Sequence, residues 1–195
     1  MSGNVPVGEK RIDFNEIELG IAADVDPHVR GEMYISWAKE DGETVTDVEE
    51  AFGQYNHLGK NLSAKFGKIA AAVGRVQRNH ADAQNYLGYP LFVEDLLGPE
   101  GLRAGGASLS YLFPGDKFQE LTLETIDPDD GPLFAGANSG QLLWLGHYRT
   151  FFDFSEDASA QLGFSYANGP SGGSRRSDLF GIDFVYKWIP GTKGK

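Results

Sequence analysis

Between Arg103 and Phe113 the large apolar residues Leu109, Tyr111 and Phe113 occupy one parity, while Ala104, Gly106, Ser108 and Ser110 occupy the other. Alternate residues of a strand face opposite ways, so this stretch predicts a strand with one oily side and one small, polar side. Pro114-Gly115-Asp116 supplies turn chemistry, and Phe118 to Thr125 resumes the alternation, with Leu121 and Leu123 set against Glu120, Thr122 and Glu124. Together they predict a hairpin whose strands are roughly ten residues long.

The same rule runs along most of the chain. Ile17, Leu19, Ile21, Ala23 and Val25 alternate with Glu16, Glu18, Gly20, Ala22 and Asp24. A helix would scatter those apolar residues around its axis; a strand gathers them on one face. After Asp26-Pro27, Val29 to Trp37 places Met33, Ile35 and Trp37 opposite Arg30, Glu32, Tyr34 and Ser36. Val45 to Tyr55 is a weaker strand, blurred at Glu49-Glu50, with a short helix as the rival reading. His57-Leu58-Gly59 predicts a turn into Leu62 to Lys68. Gln141 to Phe154, Ala160 to Tyr166 and Phe180 to Trp188 repeat the alternation.

The pattern breaks between Ile69 and Gly101, where Pro90 to Leu97 has helical spacing closed by Gly98-Pro99. A connection this long in a compact domain is usually functional or mobile. The whole predicts about nine strands in an up-and-down antiparallel meander with one long, partly helical loop. Short connections fall near Asp26-Pro27, His57-Leu58, Pro114-Gly115 and Glu156-Asp157; longer ones fall near Asp41, across 69–101, across 127–140 and across 168–174. In a meander every other connection lies at the same end, so short turns collect at one edge and long loops at the other. Transmembrane barrels have that asymmetry. Trp37, Tyr55, Phe113, Phe154, Tyr166 and Trp188, near strand ends, suit the two aromatic belts of such a barrel. A soluble sandwich also alternates and stays open as a reading.

Composition sharpens this picture. The chain has 195 residues, 26 of them glycine, with 12% aromatics and no cysteine, which favours a turn-rich β protein without disulfides or thiolate metal sites. Its net charge of −11 argues against a general nucleic-acid partner. No apolar run approaches the roughly 18 residues of a membrane-spanning helix, a test that strands escape. Met1-Ser2-Gly3-Asn4-Val5 lacks the basic start and apolar core of a signal segment.

Candidate chemistry is sparse. Arg75, Arg78 and His80 form the most informative polar group, because a long loop folded into a barrel would set them in the bore, where cations select anions. The duller reading pairs these arginines with Glu94, Asp95 or Glu100 on a surface loop. Asp24, Asp26 and His28 could hold a cation but read better as a turn, and Asp127, Asp129 and Asp130 lack the later Glu of a calcium loop. No metal or cofactor is therefore expected. Ser165 sits in no nucleophile elbow, since Ala167 stands where glycine is required, and no acid–base pair is evident, so no enzymatic activity is expected.

Asp26-Pro27-His28 between alternating strands, Val48-Glu49-Glu50-Ala51, Ala64 to Lys68 before a basic loop, Gly98 to Leu102 before a strand ending Tyr111 to Pro114, and the terminal Gly181 to Trp188 resemble bacterial outer-membrane β-barrel proteins of a porin-like type. They are similar to relatives of phosphate-selective porins and to outer-membrane receptor barrels. The resemblance implies passive diffusion or uptake of small polar solutes, a location in the bacterial outer membrane among lipid and lipopolysaccharide, and compatibility with a homo-oligomer.

The barrel segment is expected over 12–190, after a disordered or truncated 1–11 and before a tail, 191–195. Strand parity and the missing signal segment lead us to expect an arc of a larger barrel. Lumen-facing candidates are Glu16, Glu18, Arg30, Glu32, Lys65, Glu120, Glu124, Asp183 and Lys187. Their mixed signs leave charge preference open. The alternatives are a soluble β-sandwich or small barrel that binds a ligand, and the barrel part of a plug-containing receptor.

Overall fold

The computed structural model describes residues 16–40, 43–77, 89–137 and 140–189. Nine strands form one antiparallel sheet in strict chain order. They are β1 (Glu16–Asp24), β2 (Val29–Glu40), β3 (Glu43–Gly59), β4 (Leu62–Ala70), β5 (Arg103–Leu112), β6 (Gln119–Asp127), β7 (Leu143–Ser155), β8 (Ala158–Pro170) and β9 (Arg176–Trp188). Two short helices, α1 (Gly74–Gln77) and α2 (Leu91–Leu97), lie between β4 and β5. The all-β meander with a partly helical long loop is thus the architecture observed. Among the described residues the sheet does not close, and β1 and β9 are its two edges.

Several boundaries differ from the sequence reading for local reasons. β3 is the longest strand, with no helix in it; the blur at Glu49-Glu50 is a bulge, where Tyr34 faces Glu50 but Ile35 faces Val48. An extra residue on one strand shifts its period by one, which makes an alternation look broken. The reversal placed at His57 to Gly59 falls instead at Lys60 and Asn61, where Asn61 takes a left-handed φ of 62°. The long connection expected near Asp41 is not there, since β2 runs to Glu40 and β3 begins at Glu43. Asn168, Gly169 and Pro170 belong to β8, paired with Asp178, Ser177 and Arg176, so that loop shrinks to 171–175. The asymmetry between ends survives in 71–102 and 128–142, the two longest connections, which share one end of the sheet.

Paired residues share a face, so the register assigns every strand. One row crosses the whole sheet as Asp24, Arg30, Gln54, Lys65, Ser108, Glu124, Leu145, Ala167 and Leu179. On the opposite face runs Val29, Tyr55, Ala64, Leu109, Leu123, Gly146, Tyr166 and Phe180. The polar face turns apolar toward the end with the long connections. There Ala104, Ile126, Leu143, Leu145 and Ala167 pack with Ala71, Ala72, Val93, Leu97, Leu102 and Phe134 into the buried core. The core therefore sits on one side of the sheet at one end.

Candidate functional site

All nine lumen candidates lie on that polar face. Glu16 and Glu18 share the parity of Asp24, Glu32 that of Arg30, Glu120 that of Glu124, and Asp183 and Lys187 that of Leu179. The face is internally paired. Arg149 reaches Glu120 through two bonds, at 2.8 and 3.1 Å, and lies over the Phe118 ring. Arg30 meets Glu32 at 2.7 Å and Asp24 at 3.3 Å. Lys65 stands over the Phe52 ring. Gly163 leaves the space that the Asp183 carboxylate fills, since a Cβ there would come within 2.1 Å of Asp183 Oδ2.

The segment after β4 lies across this same face. The Ala71 amide donates to Leu102 O, the Ala72 amide to Glu124 Oε2 at 2.7 Å, and the Gly74 amide to Ser165 Oγ at 2.9 Å. Ser165 Oγ also shares a hydrogen bond of 2.8 Å with His147 Nδ1, and both side chains are buried. A serine and a histidine thus meet where the sequence suggested no pair; the available signal was their common odd parity on adjacent strands. With its oxygen already held by the Gly74 amide, Ser165 works as an anchor for α1. Arg75 is exposed on α1 and shares a pocket with Phe92, Phe180, Ile182 and Asp183. Arg78 and His80 lie outside the described residues.

A second cluster was missed. Arg103 Nη1 lies 3.0 Å from Glu49 Oε2, with both side chains only 5% exposed, and 3.4 Å from Glu100 Oε2. Its Nη2 donates to the Tyr89 hydroxyl at 3.1 Å. Glu49 is the bulge residue, which is why strand periodicity did not aim it anywhere. Partial removal from water, then repulsion from Glu49, holds the Glu100 carboxyl above the ordinary carboxylate range, against the pull of Arg103. Burial likewise raises the Tyr89 hydroxyl.

The acidic candidates have structural work. Asp26 Oδ1 accepts the amides of His28 and Val29 and so closes the β1–β2 turn. Asp130 Oδ1 accepts the Ala137 amide. Among the described residues no group of His, Asp and Glu is arranged to hold a metal ion.

The apolar face is open. Leu123 is 52% exposed, Ile182 75% and Phe180 77%, and Ile17, Phe66, Trp144, Phe164 and Phe184 are exposed with them. Toward the edge with the short turns, Tyr111 packs on Phe113 and Phe154 on Tyr186; toward the other, Tyr166 packs on Phe180. No helix among the described residues is long and apolar enough to cross a membrane. The chain matches no protein-family model, no curated protein and no solved structure, so the likeness to porin-like barrels rests on the residues that carry it.

Proposed function

We propose that the chain is part of an outer-membrane β-barrel through which small polar solutes pass by diffusion. The observation that carries this reading is the division of all nine strands into one apolar face open along its length and one polar face partly covered by the chain's own long connection. Each large apolar side chain left in water forgoes roughly 1.5–3 kcal/mol of burial. An apolar face to which all nine strands contribute is therefore far better matched to hydrocarbon than to solvent. The described strands run from 9 to 17 residues, and roughly 9–11 tilted residues cross a bilayer.

In hydrocarbon every backbone group needs a partner. The edges of β1 and β9 must then be paired by further strands of the same protein or by another copy. Once closed, the polar face lines the bore, and the segment 71–77, anchored on Glu124 and Ser165, narrows it. Passage is passive: water and polar solutes exchange their hydrogen bonds with Ser, Thr, Gln and carboxylate side chains on the wall.

The three tryptophans test the reading, because Trp37, Trp144 and Trp188 all stand on the apolar face. In vesicles containing brominated lipid their fluorescence should be quenched, and the vesicles should become permeable to small sugars. A chain that stays folded and monodisperse in plain buffer, with tryptophans untouched by the lipid, would remove the proposal.

A further inference from the structure

We infer that the passage favours small cations over anions, an inference that rests on the channel reading above and names its solute class. Among the described strand residues, the cations of the polar face are Arg30, Lys65, Arg149 and Lys187. Arg30 and Arg149 are neutralised within the face, by Asp24 and Glu32 in the first case and by Glu120 in the second. Beyond those pairs the face also carries Glu16, Glu18, Glu50, Glu124 and Asp183, so carboxylates outweigh cations whatever local bonds each makes.

Position strengthens the sign. The long connection touches the wall at Glu124, through the Ala72 amide. Beside that contact lies a polar recess of about 70 Å³ between Glu50, Lys65, Ser108, Ser110, Thr122 and Glu124. Arg75, the one basic residue of α1, shares its pocket with Asp183, which offsets it. Charges in a narrow passage with low-dielectric walls act over about a Debye length, roughly 8 Å at physiological salt, so carboxylates at the narrowing bias every ion that passes. The net charge of −11 adds a long-range field of the same sign. The anion preference suggested by Arg75 is therefore opposed by the carboxylates of the wall beside it.

The test is a reversal potential in planar bilayers under a potassium chloride gradient, using the full chain with whatever strands its gene supplies. The native protein should be cation-selective, and Glu16→Gln with Glu18→Gln, the first exposed and the second half-buried on β1, should move the reversal potential toward zero. Arg75→Ala should leave the cation preference intact or raise it. Steps of conductance with no preference, or with preference for chloride, would overturn the inference and leave the channel standing. Absence of conductance from protein shown to be inserted would overturn the channel reading, and this inference with it.

Discussion

Arg103 and Glu49 make the sharpest local commitment in the molecule. Two charges removed from water are costly, and their attraction repays that cost only while both are present. Replacing Glu49 by alanine should therefore lower stability by about 3–5 kcal/mol, read from urea unfolding, because it leaves the buried guanidinium with only the largely solvated Glu100 carboxylate as a counter-charge. Joint replacement by Glu49→Leu and Arg103→Met should recover most of the loss. Glu100, at the rim of the same cluster, gives a pH signature. Its folded-state carboxyl holds a proton to higher pH than the unfolded chain does. Stability should then fall as pH rises from the ordinary carboxylate value, near 4.3, through the raised one. Two thirds of the Glu100 side chain stays in solvent, so the slope is shallow. Glu100→Gln should flatten it in melting curves taken across that window; an unchanged slope would assign the dependence elsewhere.

At the scale of elements, the strands were legible wherever one face is covered and the other open. β5 and β9 are of this kind, β1 keeps the alternation although nearly all of it is exposed, and in all three the pattern passes from sequence to register almost unchanged. Legibility failed where a second constraint entered. At Glu49 the bulge adds a residue, and a period-two pattern cannot absorb it. At Leu142 to Leu145 the run is continuously apolar because Leu143 and Leu145 meet the long connection while Trp144 faces outward. That run held the missing clue that something from elsewhere in the chain lies over the polar face at this end. The lumen candidates fall together on the polar face because parity alone places them there. The Ser165–His147 anchor and the Arg103 cluster were not, because they depend on which strands are neighbours and on what the long connection brings to them.

For the whole molecule, the question is what lies against the apolar face, and a single lysine can answer it. Leu123 sits in the middle of β6, opposite Leu109 on β5 and Gly146 on β7, with neighbours of its own face on both sides. If that face meets water, Leu123→Lys exchanges an exposed apolar side chain for a solvated one and should change stability by no more than about 0.5 kcal/mol. If it meets hydrocarbon, a lysine near the bilayer midplane should cost about 2–4 kcal/mol. Gln161→Lys supplies the control, since Gln161 lies on the polar face of β8 opposite Phe151 and Val185, where a wet lumen tolerates the charge. Unfolding by urea from lipid vesicles should therefore separate the two variants by most of the midplane cost. Equal stabilities would mean that the two faces see the same solvent, and the division of the sheet would then require a protein partner, not a membrane, to account for it.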